Sequence, residues 1–271
     1  MTIGKLIDWL RRTRSAPTLP DSLWRETLAA LPFLERLGDD EKSRLRELTE
    51  AFLAEKEFTA AGGLELTDAM CVSIAAQGCL PILNLGLDAY RNWVGVIVYP
   101  DEFIIPRNVE DEFGVVHEYT DVASGEAWDG GPVIVSWHDA QMAGSGYNVV
   151  IHEFAHKLDM LTGDANGLPP LPPGLARATW EETLVAAFDD FSRRVEEAET
   201  SGDAWCDEGD DGEDGEDDEK NGLDPYAAEN RGEFFAVMSE TFFETPDLLR
   251  DEYPALYQQF KDFYRQDPAA H

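Results

Sequence analysis

The stretch Asn148-Val149-Val150-Ile151-His152-Glu153-Phe154-Ala155-His156-Lys157-Leu158-Asp159-Met160-Leu161 decides how the rest of this chain is read. On a helix, residues four apart share a face with neighbouring Cβ atoms, so His152 and His156 can offer two imidazoles to one metal ion. Glu153 is rotated beside that pair, within reach of a metal-bound water without ligating the metal itself. Val149, Val150, Ile151, Phe154, Ala155, Leu158 and Leu161 leave few polar positions, which predicts a helix covered on most sides. Two imidazoles and a carboxylate are costly to bury without a charged partner, and a zinc ion supplies one. His-Glu-x-x-His is the spacing found in zinc peptidases, although chance produces it in on the order of one chain in a hundred of this length. The competing reading is a pair of satisfied core histidines. The apolar flanks, and Gly144 and Gly146 loosening the chain just before the helix, favour the metal.

A catalytic zinc takes three protein ligands and leaves a position for water, so a third ligand has to be found. Asp159 is three residues past His156 on the same face, but a further turn along. It is either an outer-shell partner or a surface residue. Asp164 follows Gly163 without the further histidine its pattern would require. Glu233 is the strongest candidate, because it interrupts an apolar helix (Phe234, Phe235, Val237, Met238) in which an unpaired carboxylate is costly. Glu240, about two turns on, either hydrogen-bonds a ligating imidazole and fixes its tautomer or lies on a solvated face. Tyr226, seven residues before Glu233, either donates to the oxyanion of a tetrahedral intermediate or simply packs. His117 and His138 each either approach the site or sit on the surface.

Outward from the site, the chain changes character several times. Residues 1–20 form an N-terminal tail ending in Pro17 and Pro20. Residues 21–271 are expected to make one α+β domain, mostly helical. Its parts are a helical stretch (21–91), a small mixed sheet followed by the motif helix (92–162), and a helical C-terminal stretch (175–271). Strand-like runs at 94–99, 103–105, 115–122 and 131–137 supply the sheet. A sheet placed just before the metal helix either offers an exposed edge to a peptide backbone or only covers the helix.

With 43% hydrophobic residues over 271 positions the chain can bury a sizeable core. The formal net charge of −34 argues against nucleic acid or an anionic membrane as partner. Residues 196–224 carry 15 acidic side chains and one lysine, −14 in all, and 201–224 reads as a disordered acidic insertion. It does not follow a calcium loop, because with Asp207 first, position three is Gly209 and position twelve is Asp218. Cys71 and Cys79 read as buried thiols. Without a signal-peptide pattern or an apolar run of about 18 residues, a cytoplasmic location is the default.

Three stretches together resemble the Mlc titration factor A family of bacterial zinc metallopeptidases. They are the motif helix Asn-Val-Val-Ile-His-Glu-Phe-Ala-His-Lys-Leu-Asp, the preceding Gly-Pro-Val-Ile-Val-Ser-Trp, and Glu-Phe-Phe-Ala-Val-Met-Ser-Glu-Thr-Phe-Phe. The resemblance runs from about residue 20 to the C-terminus. A tyrosine seven residues before the glutamate ligand is also similar to lethal-factor-like gluzincins. The resemblance implies a zincin-type site with one Zn2+ held by His152, His156 and Glu233, Glu153 as base and Tyr226 on the oxyanion side. It also implies His117 as a further metal contact. It implies aminopeptidase-like cleavage of peptides and binding of the Mlc repressor, which relieves repression of sugar phosphotransferase genes. The acidic insertion before Tyr226 departs from the family pattern.

Overall fold

In the computed structural model, residues 18–110, 116–201 and 222–270 are described, with side chains outside 106–110, 116–119 and 121. The tail up to residue 17 and most of the acidic insertion (202–221) lie outside these residues. The fold is α+β, mostly helical with a small mixed sheet.

Helix α1 (Asp21–Ala30) and α2 (Asp39–Glu55) lead into strand β1 (Glu57–Ala60), and α3 (Asp68–Cys79) follows. Strands β2 (Gly95–Tyr99), β3 (Phe103–Glu110), β4 (Val116–Ala123), β5 (Gly125–Ala127) and β6 (Val133–Ser136) come next. The short helix α4 (Trp137–Ala140) then leads to the motif helix α5 (Val149–Asp159). The C-terminal part is α6 (Arg177–Ser201), α7 (Arg231–Glu244), α8 (Pro246–Glu252) and α9 (Pro254–Tyr264).

The four-stranded sheet has the order β1-β2-β6-β5, parallel except for β5, which runs antiparallel to β6. Strand β1 falls inside the stretch expected to be helical. Its pattern is exposed but for a half-buried Phe58, so no alternation announces it, and its pairing with β2 (Phe58 opposite Val96) makes it a strand. Ser124-Gly125-Glu126 reads as a turn, yet Gly125–Ala127 pairs with β6 and forms the outermost strand of the sheet, beside α5. Strands β3 and β4 form a separate antiparallel hairpin instead of joining the sheet.

Sequence explains where α5 begins and what covers it. Asn148 caps the helix, its Oδ1 accepting the Ile151 N–H at 2.9 Å. Strand β6 is buried along its whole length, as a strand covered on both faces must be. Phe154 points from α5 into a cluster of Phe52, Tyr90 and Trp93, with centroids 5.3–5.7 Å away. Burying such a ring contributes about 1.5–3 kcal/mol. Gly78 of α3 makes room for it: a Cβ there would lie 2.2 Å from the Phe154 ring. Lys157, buried on the same helix, donates to the Trp128 carbonyl and, at 2.8 Å, to that of Gly131, which ties α5 to the β5–β6 turn. A second aromatic cluster, Trp180, Phe235, Phe260 and Phe263, packs α7 between α6 and α9.

Candidate metal centre

Helices α5 and α7 run antiparallel, and their contacts pair off in reverse order. Glu233, Glu240 and Glu244 are spaced seven and four apart, so they form one stripe along α7 facing α5. Glu233 Oε2 lies 3.0 Å from His152 Nε2 and 3.1 Å from His156 Nε2, and the two Nε2 atoms are 3.1 Å apart. Glu240 Oε1 meets His152 Nδ1 at 2.6 Å, while its Oε2 accepts the Asn148 N–H at 2.8 Å. Glu244 accepts from Asn148 Nδ2 at 2.8 Å and from the Gly144 N–H at 2.7 Å. One face of α7 therefore holds both the ligand end and the capped end of α5.

The protonation logic of this cluster points to a cation. With His152 Nδ1 donating its proton to Glu240, Nε2 carries a lone pair, and it faces Glu233 Oε2 and His156 Nε2. Three acceptor atoms aimed at one point repel each other unless positive charge sits among them. Tetrahedral ligands about 2.0–2.1 Å from zinc lie roughly 3.3–3.4 Å apart, within a few tenths of an ångström of the spacing here. The residues present therefore fit a zinc-sized ion.

A proton is the alternative source of that positive charge. Burial opposes charge on His152, but Glu240, Glu233 and Glu153 outweigh it and hold its pKa well above the ordinary value. Burial would likewise raise Glu233, but hydrogen bonds to both imidazoles dominate and hold it well below the usual carboxylate range. Glu153 is 5% exposed. Burial pushes its carboxyl up to about 7, against the pull of His152 and His156. Its neighbour is Gly125 on the edge strand, where a Cβ would stand 2.4 Å from Glu153 Oε1.

Asp159 is fully buried, and its Oδ2 accepts the Gly167 N–H at 2.6 Å, pinning the loop that follows α5. Its Oδ1 and His156 Nδ1 both lack a hydrogen-bond partner, and burial pushes its carboxyl up to about 6. Tyr226 stands on a 3-10 turn (Pro225–Ala228) capped by Asp224, half exposed, with its ring centroid 6.1 Å from that of His152. His117 lies on β4 opposite Val109, and its side chain is outside the described residues. His138 is exposed and stands with Asp101 and Asp139, not with His152 and His156.

Sequence reasoning missed Glu244 and Gly125. Glu244 had a signal, since it is one turn past Glu240 in an apolar helix. Gly125 had none, because its role exists only once β5 lies against α5.

Two imidazoles from a buried helix and a carboxylate from its neighbour form the donor set of metal-dependent hydrolases. A family model described as glucose-regulated metallo-peptidase M90 matches residues 6–265, and the chain belongs to that family. It is similar to proteins named Mlc titration factor A. That of Salmonella arizonae is 38% identical over 97% of this chain and 98% of its own length. Those of an Enterobacter species (38%, 94% and 91%) and Escherichia fergusonii (37%, 97% and 93%) are close behind.

Proposed function

We propose that this chain is a zinc-dependent, zincin-type peptidase with aminopeptidase-like activity, residues 21–271 forming one cytoplasmic metallopeptidase domain. The observation that carries this reading is the convergence of His152 Nε2, His156 Nε2 and Glu233 Oε2 on one point, with Glu153 beside them.

A bound zinc ion supplies Lewis acidity, acidifying a water and polarising a peptide carbonyl. Glu153 takes the proton from the attacking water and passes it to the leaving amine. Burial raises that carboxyl, which favours its taking up the proton. Glu240 fixes the tautomer of His152, whereas Asp159 acts on His156 through its charge, with no hydrogen bond joining the two. Tyr226 donates its hydroxyl to the oxyanion. The free edge of β5 accepts the substrate backbone as an added strand, with Gly125 bringing that backbone close to Glu153. His117 belongs to this reading as a further metal contact through the family resemblance alone.

A second reading is supported by the relatives' name: the chain binds an Mlc-type repressor, with the metal serving structure. Zinc analysis paired with peptide-library cleavage on wild type and Glu153→Gln tests the first. The variant is expected to keep its zinc and lose turnover, and retained cleavage sinks the mechanism. Repressor binding by the same variant at full affinity separates the two activities.

A further inference from the structure

Outside the site just described, one other set of metal-ligating side chains comes together among the described residues: Asp101, His138 and Asp139. Strand register builds it. Parallel strands β2 and β6 pair Tyr99 with Ser136, so the residues two beyond each strand, Asp101 and His138, emerge side by side at the carboxyl ends. The His138 N–H donates to the Pro100 carbonyl at 3.2 Å, which carries the ladder one step past the strands. Asp139 follows at the base of this corner, its N–H held by Ser136 Oγ at 3.2 Å.

We infer that this corner is a second divalent-cation site. Asp139 is nine-tenths buried (9% exposed), and its Oδ2 is buried without a hydrogen-bond partner. That oxygen lies 4.0 Å from His138 Nδ1, too far for a hydrogen bond. A buried carboxylate oxygen without a donor is costly, and a cation is the partner that removes the cost while drawing on the imidazole and the second carboxylate. One ligand atom from each residue lies within 4.8 Å of the others. Ligands bonded at about 2.0–2.2 Å stand roughly 3–3.5 Å apart, so closure takes on the order of 1 Å of movement. Asp101 and His138 are exposed and can supply it by side-chain rotation. Asp101 Oδ1 accepts the Glu102 N–H at 2.9 Å, leaving its other oxygen for the ion. One imidazole and two carboxylates suit a first-row transition cation better than Mg2+ or Ca2+, whose ligands are all oxygen. Three protein ligands leave coordination positions for water, so the ion exchanges readily. Bound, it cross-links the β2–β3 turn to α4.

The test is equilibrium dialysis of Co2+ and Zn2+ against the full-length chain, with Mg2+ as control, on wild type, Glu233→Gln, His138→Ala and the double variant. The separate Glu233→Gln arm keeps failure of this site distinct from failure of the peptidase centre. Wild type is expected to take up two equivalents, each single variant one, and the double variant none. Thermal melting of Glu233→Gln should rise with Co2+, and the rise should vanish on adding His138→Ala or Asp101→Asn. Both of those changes are at exposed positions and leave the fold intact. Uptake unchanged by His138→Ala, or no rise in melting temperature that depends on His138, overturns the inference.

Discussion

Helices α5 and α7 are both buried on nearly every side, yet they declare themselves differently. Helix α5 carries its chemistry in a five-residue pattern, His152 to His156, that is legible locally. Helix α7 carries no such pattern: it is an apolar helix with carboxylates at 233, 240 and 244, and only their cost of burial gives them away. What the pair teaches is a division of labour. One helix supplies two of the three donors, and the other supplies the third together with the charge that orients them. The stripe on α7 thus grades from a residue in the cluster, through one behind an imidazole, to one behind the helix cap.

That gradient can be broken rung by rung. At the donor rung, Glu233→Gln removes a carboxylate from the cluster, and metal affinity should fall by at least about a hundredfold, measured by competition with a chelator dye. One rung away, Glu240→Gln leaves the cluster complete but loosens the His152 tautomer, and affinity should fall by about 10–100-fold. If Glu240→Gln cost more than Glu233→Gln, the assignment of the two roles would be reversed. On the adjoining face of α5, Gly125→Ala sets a Cβ 2.4 Å from Glu153 Oε1. Turnover should drop about tenfold as the carboxylate is displaced, with metal content unchanged in elemental analysis.

The last rung is the mildest and shows in stability. Burial raises Glu244 from 4.5 in the unfolded chain to about 7 in the fold. A carboxylate raised on folding contributes stability that is fully present below about pH 4.5 and is lost as pH rises through 7. Between pH 5 and 8 the melting temperature of wild type should therefore fall relative to Glu244→Gln, by the equivalent of about 1–3 kcal/mol. A difference that stays flat with pH would remove Glu244 from the ladder.

Much of this is legible in the amino-acid sequence alone. The motif helix and the helical character of the stretch from 175 onward follow from periodicity, and Glu233 stands out by the cost of a carboxylate among phenylalanines. What stays hidden depends on partners distant in sequence. Strand β1 is largely exposed and exists only through its hydrogen bonds to β2. Strand β5 is three residues written in turn-forming chemistry, and it becomes a strand because β6 lies alongside. The juxtaposition of Asp101 with His138 likewise comes from parallel register, which no local pattern encodes.

Lys157 has a mechanical consequence. By holding the carbonyls of Trp128 and Gly131, it makes the motif helix and the strand edge beside Glu153 a single rigid jaw. Across from that jaw, Tyr226 rides on a one-turn segment secured by Asp224. The walls on both sides of the cluster are therefore held by contacts outside it: the tyrosine's turn packs on α6 and α7, with Ala227 fully buried.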